Sequence, residues 1–300
     1  MAAMIKDHAE QVRAGRPRFH LAASSGWLND PNGLVYLDGE YHLFFQHYPD
    51  EPVPGPMHWG HAVSTDLLEW RELPVALRPD ADGPIWSGSA VIDVDDSSGF
   101  GRGCLVLAYT HATRTGQHQC LAWSTDRGRT VTPYAGNPVL ACPPGIRDFR
   151  DPKVLRYRGP DGSWWVMVLV AGDHARFYVS DDLKDWRLTS TFEAPVPVEG
   201  ALWEMPDLVR LPVAGTTEQR WAFTLSVQPP EGSLGSGVVW WPGSFDGYRF
   251  DADAPAMPID HGADFYAQQT WAHQPDERRI WVAWMGNWAY ASETPTQGWR

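Results

Sequence analysis

Cysteine is scarce in this chain of 300 residues: there are three, Cys104, Cys120 and Cys142. An odd number without a C-x-x-C spacing suggests neither a disulfide framework nor a zinc or redox pair, so these thiols read as small apolar core residues. Long apolar runs are missing too. Residues 1–16 are mixed polar and charged, with no small-residue cleavage pattern. Neither a signal peptide nor a membrane anchor is expected there, and a cytoplasmic location is the expectation that follows. Positive charge is in deficit: 24 Lys and Arg stand against 37 Asp and Glu, for a formal net charge of −13. With an isoelectric point near 5.2, the chain is a poor partner for nucleic acid or an anionic membrane, and a neutral partner fits better. No G-x-S-x-G elbow, P-loop or G-x-G-x-x-G is present, which removes the serine-hydrolase and nucleotide readings. His58 and His61 lack a third ligand and do not form H-E-x-x-H, so neither a metal nor a cofactor is expected.

Convincing helical periodicity is also absent. What the chain has instead is 17 Trp, 28 Gly and 26 Pro, with short β-rich apolar runs between turn-formers, which predicts an all-β fold. An internal repeat sets the architecture. Ser64-Thr65-Asp66, Ser124-Thr125-Asp126, Ser180-Asp181-Asp182 and Ser244-Phe245-Asp246 each follow a strand-like run, and their aspartates read as turn residues. A period near 60 residues with about four strands per unit is that of a propeller blade rather than a helical solenoid. We therefore expect a five-bladed β-propeller of four-stranded blades over residues 17–300, after a polar tail at 1–16. The fifth blade is expected to be incomplete, with its outer strands beyond Arg300 or absent, so that the chain reads as a fragment with an exposed strand edge.

One stretch anchors this scheme: Trp27-Leu28-Asn29-Asp30-Pro31-Asn32-Gly33. Pro31 pushes Asp30 into extended geometry and Asn32-Gly33 supplies turn chemistry, so Asp30 is expected at the mouth of a strand beginning at Gly33. Alone it reads as a turn. Comparable stretches recur at the starts of the later blades, however: Trp86-Ser87-Gly88-Ser89, Arg150-Asp151-Pro152, Trp203-Glu204-Met205-Pro206-Asp207 and Asp264-Phe265-Tyr266. The first strands of a propeller line its axis, so their starts converge, and Asp30, Asp151 and Glu204 are expected around one cavity. Clustered carboxylates beside tryptophans suit hydrolysis of a glycosidic bond, with one carboxyl ionised, one protonated, and aromatic faces for the sugar's C–H surface. Asp207 reads either as a carboxylate supporting the site from behind or, the reading favoured here, as a strand-start cap.

Together with Trp59-Gly60-His61-Ala62-Val63-Ser64, these motifs resemble glycoside hydrolase family 32, the β-fructofuranosidases, over nearly all of residues 19–300. Ser124 to Thr130, Asn137 to Leu140 and Asp264 to Ala267 are most similar to the levanase and exo-inulinase branch. The resemblance implies that Asp30 is the nucleophile and Glu204 the general acid/base, with Asp151 holding the fructosyl hydroxyls. It implies that Asn29, Gln46, Trp59, Trp86, Ser87, Arg150 and Trp288 line a terminal-fructose pocket. The implied activity is release of β-D-fructose from levan, inulin or sucrose by double displacement, and the implied partner is a fructose-containing saccharide. Arg150 is expected to keep its neighbour Asp151 ionised.

The chain departs from the family pattern in four places. Met205 stands where the family usually has Cys. Residues 50–57 and 228–236 replace its usual loops, and its C-terminal β-sandwich is missing. A non-catalytic fructan-binding propeller would need a lost acid, and none is lost. Two rival readings stay open: an inactive fragment, and a fructosyltransferase that uses the same acids.

Overall fold

The computed structural model describes residues 16–17, 19–196, 199–230, 235–296 and 298–300, so most of the polar tail lies outside the described residues. The second strand of each predicted unit is its most apolar run, such as Leu105 to Tyr109, Trp165 to Ala171 and Ala222 to Val227. A run of that length without alternation buries both faces. Each of these strands does so, because its sheet is sandwiched between two others.

The result is an all-β propeller-like fold whose described residues contain no α-helix. The first sheet is the meander β1 (Trp27–Leu37), β2 (Glu40–Tyr48), β3 (His58–Ser64) and β4 (Arg71–Leu77), and the second is β5 (Ile85–Asp93), β6 (Cys104–Thr113), β7 (Gly116–Ser124) and β8 (Thr132–Pro133). The third comprises β9 (Phe149–Gly159), β10 (Gly162–Ala171), β11 (Ala175–Ser180) and β12 (Arg187–Phe192). The fourth runs β13 (Leu202–Pro212), β14 (Gln219–Gln228), β15 (Gly237–Phe245) and β16 (Phe250–Ala252), with β17 (Met257–Pro258) also paired to β15. A two-stranded sheet, β18 (Tyr266–Thr270) and β19 (Trp281–Trp284), follows. The four full blades match the expectation from the repeat. Apolar clusters fill the spaces between the first and second, second and third, and third and fourth blades. Another joins β1 and β2 to Trp271, Ile280 and Val282.

Two sequence expectations are corrected. The inner strands β1, β5, β9 and β13 begin four to six residues earlier than the apolar runs suggest, so Asp30, Ser87, Asp151 and Glu204 lie inside strands and not in turns before them. Pro31 and Gly33 are tolerated there because a register shift interrupts the ladder between Leu28 and Pro31 and again between Asn32 and Val35. Asp207 is not a strand-start cap. It is fully buried and its Oδ1 lies 3.0 Å from Lys153 Nζ, an ion pair from β13 to β9. The turn reading of the repeated aspartates holds: Asp66 accepts from the backbone N–H of Leu68 and Glu69, Asp182 from Lys184 and Asp185, and Asp246 from Tyr248 and Arg249.

Innermost strands of neighbouring blades touch around the axis, β18 packing against both β13 and β1. Polar side chains stitch them together. Asn32 Oδ1 accepts from Gly88 N at 3.1 Å, while Ser89 donates to Pro152 O at 2.7 Å and accepts from Val154 N at 2.8 Å. Asp207 Oδ2 accepts from Thr270 N at 2.7 Å. The ring closes through backbone bonds between Tyr36, Ala272 and Leu34, and between Gly26, Leu28 and the segment 298–300.

Lys153 also donates to Gln269 Oε1 and to Thr270, so one buried ammonium joins the three inner strands β9, β13 and β18. Removing it leaves the buried Asp207 charge without its counter-ion, a loss worth about 3–5 kcal/mol. Lys153→Met should lower the urea midpoint accordingly, and a loss under about 1 kcal/mol would show that the pair does not hold the ring.

Candidate active site

A flat antiparallel ladder would point alternate side chains along the axis and away from it. The innermost strands break that alternation at one level. Each carries one extra residue relative to its partner: between Leu28 and Pro31 in β1, Trp86 and Gly88 in β5, Arg150 and Lys153 in β9, Glu204 and Asp207 in β13, and Tyr266 and Gln269 in β18. A β-bulge bends its strand and re-aims the side chains beside it. Asp151, Met205 and Ala267, each just after a site residue, have φ of 61°, 50° and 54°, a conformation that side-chain-bearing residues occupy only when their surroundings enforce it. The enforcement is visible. Thr110 Oγ1 accepts the Asp151 N–H at 3.0 Å, Asp151 Oδ2 accepts the Met205 N–H at 3.0 Å, and Ser226 Oγ accepts the Ala267 N–H at 3.0 Å.

These bulges bring Asp30, Asp151 and Glu204 together around Arg150. Asp30 accepts from Ser87 Oγ at 2.7 Å and from Asn29 Nδ2 at 2.9 Å, and Asn29 is itself fixed by Trp27 Nε1 at 2.8 Å. Arg150 is 5% exposed. Its NH2 lies 3.1 Å from Glu204 Oε1, its NH1 2.5 Å from Asp148 Oδ1, and its Nε 3.8 Å from Asp151 Oδ2. The guanidinium also sits over the Trp86 ring at 5.7 Å from its centroid. The other oxygen of Glu204, Oε2, accepts from the Tyr266 hydroxyl.

Burial, reinforced by Glu204, raises Asp30 from the ordinary carboxylate range to about 6 against the pull of Ser87, Asn29 and Arg150. Burial likewise raises Asp151 to about 7, even though Arg150 opposes it. The expectation that Arg150 keeps Asp151 ionised is therefore corrected: its closer carboxylate partners are Glu204 and Asp148, and desolvation outweighs its field at Asp151.

The remaining sequence candidates are distributed more widely. Ser87 is buried against Asp30, and Trp86 is half-buried at the guanidinium. Trp59 is fully buried below them, donating to Trp86 O at 3.0 Å. Gln46, paired in register with Trp59, is buried with Nε2 unpartnered among the described residues. Trp288 stacks on Trp27 at 6.1 Å. The Met205 side chain packs with Trp27, Met57, Tyr266 and Trp284, so the position contributes its N–H to Asp151 and its thioether to an apolar cluster. His61 is spent in a buried pair with His42, His42 Nδ1 to His61 Nε2 at 3.1 Å. Among the described residues no group of acidic, histidine and cysteine side chains is placed to hold a metal.

Sequence reasoning missed Tyr266, Thr110, Asp148 and the Lys153–Asp207 pair. Tyr266 had a signal, since it stands at the bulge of its inner strand in the position that Arg150 and Glu204 occupy in theirs. Thr110 had none, because its partner Asp151 comes from another strand, whereas Asp148 stands only two residues before its partner Arg150.

The chain matches the family model described as the glycosyl hydrolases family 32 N-terminal domain over residues 20–300. It is 48% identical over 294 residues to a levanase of Bacillus subtilis (strain 168), a match covering 95% of this chain and 43% of the levanase. It is 38% identical over 323 residues to an extracellular exo-inulinase of Aspergillus awamori, covering 95% of this chain and 60% of that enzyme. The chain thus spans about half the length of these relatives. Among solved structures, a β-fructofuranosidase from Schwanniomyces occidentalis complexed with fructosyl-erythritol superposes with a TM-score of 0.88 at 35% identity, covering 95% of this chain and 57% of that one.

Because Asp151 holds its proton more tightly in the folded chain than in the unfolded one, its ionisation destabilises the fold. The penalty is absent below pH 4, grows as the pH rises, and is complete above about 7. Asp151→Asn keeps an acceptor for Met205 N–H and carries no charge. It should stabilise the protein by roughly 2 to 4 kcal/mol at pH 8 and by less than about 1 kcal/mol at pH 4. Denaturant titrations at the two pH values check this, and a gain that does not grow with pH would refute it.

Proposed function

The chain belongs to glycosyl hydrolase family 32, and on that premise we propose that it releases terminal β-D-fructose from levan, inulin or sucrose with retention of configuration. One observation carries the reading: carboxyls from β1, β9 and β13 meet around a single buried arginine, with two of them anchored by donors on other strands. Asp30, oriented by Ser87 and Asn29, attacks the anomeric carbon while Glu204 gives its proton to the leaving glycosidic oxygen. Glu204 then takes a proton from water, which displaces Asp30 and frees fructose. Asp151 holds sugar hydroxyls beside the developing positive charge. Asn29, Gln46, Trp59, Trp86, Ser87, Arg150 and Trp288 form the pocket or back its walls.

The levanase and exo-inulinase similarities and the fructosyl ligand of the Schwanniomyces occidentalis enzyme support a fructan or sucrose substrate. We read β18 and β19 as the inner half of a fifth blade, and residues 17–300 as one propeller catalytic domain. Its axis position, between β13 and β1, supports that reading of β18.

Purified protein incubated with sucrose, inulin and levan should yield free fructose by chromatography, and NMR of the first product should show the β-anomer. The rate should fall as the pH drops through about 6, since Asp30 must be ionised to attack, although the observed limb belongs to the coupled cluster. Asp30→Ala or Glu204→Ala should cost about 100-fold or more, and Asp66→Ala, in a turn, should cost nothing. An inverted first product, or activity surviving both acid replacements, would overturn the assignment.

A further inference from the structure

The two oxygens of Glu204 have unlike partners. Oε1 faces NH2 of Arg150 at 3.1 Å, and a guanidinium offers only donors, so a carboxyl proton is disfavoured on that oxygen. Oε2 is the more favourable place for the proton. That is the oxygen to which the Tyr266 hydroxyl donates, and a donated hydrogen bond and a bound proton compete for the same atom. Tyr266 comes from β18, is 1% exposed, and is wedged among Trp27, Met57, Met205 and Trp284. The charged groups facing this pair are Asp30 from β1, Arg150 and Asp151 from β9, and, behind the guanidinium, Asp148.

We propose that Tyr266 is a positioning residue for Glu204, donating to Oε2 as the proton leaves and so stabilising the carboxylate that each turnover creates. The inference rests on the fructosidase reading above. Before the first step the proton is on Oε2 and the tyrosine bond cannot form in the same sense. As the glycosidic C–O bond breaks, its electron pair goes to the leaving oxygen, which takes that proton, and an Asp30 oxygen bonds to the anomeric carbon. Glu204 is left ionised, with Arg150 donating to one oxygen and Tyr266 to the other. An interaction that appears only as the reaction proceeds lowers the barrier without tightening substrate binding. Burial and the neighbouring acids keep the phenol protonated by raising it well above its ordinary value. In the second step the same bond opposes proton uptake from water, so its benefit belongs to departure of the first sugar.

Tyr266→Phe keeps the ring and its packing and removes only the hydroxyl. With a hydrogen bond to a charged group lost, kcat/KM on sucrose should fall by about 10-fold or more, and the basic limb of its pH profile should move up by about 1 to 2 units. On 4-nitrophenyl β-D-fructofuranoside, whose leaving group needs little protonation, the loss should stay below about 3-fold. Incorporation of 3-fluorotyrosine at position 266, a stronger donor of nearly the same shape, should move the limb down, and it serves equally if the Phe variant does not fold. Equal losses on both substrates with an unmoved limb, or no movement with fluorotyrosine, would overturn this inference while leaving the fructosidase reading intact. A wild-type chain that releases no fructose from any substrate would overturn that reading and this one with it.

Discussion

Everything in this fold depends on how its innermost strands are joined. Neighbouring blades share no backbone ladder along most of the axis, so the ring is held there by buried polar side chains that cross from one blade to the next. Such groups are expensive to bury unless each finds a partner. The bridging atoms here do, although Asn32 Nδ2 has no partner among the described residues: Asn32 Oδ1 pairs with Gly88, Ser89 with Pro152 and Val154, Thr110 with Asp151, Asp151 with Met205, and Asp207 with Lys153 and Thr270. The apolar clusters between blades supply the bulk of the burial, but they are non-directional. The polar stitches set the blades' positions relative to one another, and Asp151 belongs to both the stitching and the site.

The site is built from departures from regularity. An extra residue at the same level of each inner strand turns acids toward a common point, and the left-handed conformations after Arg150, Glu204 and Tyr266 are held by hydrogen bonds that run between strands. The electrostatics follow from the same crowding. Asp30 keeps partial exposure yet is raised, because protein surrounds it on most sides and Glu204 stands near. Arg150 reaches Glu204 at 3.1 Å and Asp151 at 3.8 Å while committing its shortest contact to Asp148, which stands outside the trio.

Much of this was legible from the chain. Four full blades followed from the spacing of the Ser-x-Asp turns, and the turns behave as their composition demands, with Asp66 and Asp182 accepting from two successive amides each. The meeting of Asp30, Asp151 and Glu204 followed from recurrence at strand starts. Strand onsets were misjudged because Asp30-Pro31-Asn32-Gly33 and Arg150-Asp151-Pro152 carry turn composition, and composition cannot distinguish a turn from a bulge inside a strand. Asp207 was misread for a related reason: its partner Lys153 is a blade away, and local sequence says nothing about a pairing made by ring closure. The same distance hid Tyr266, which meets Glu204 only after β18 docks between β13 and β1.

The closure between Gly26–Leu28 and residues 298–300 has a consequence for how the molecule comes into being. Each blade is a meander whose contacts are short in sequence, so blades can form early and separately. Joining the first strand to the last orders nearly the whole chain as one loop. The entropy of that step rises only with the logarithm of loop length, about 0.6 kcal/mol per doubling, so it is late without being prohibitive. Asp30 arrives on the first inner strand and Glu204 on the fourth, so the two meet only once the strands between them have packed around the axis. Spectroscopic β-content would report the blades, whereas the meeting of the acids would report only their later packing around the axis.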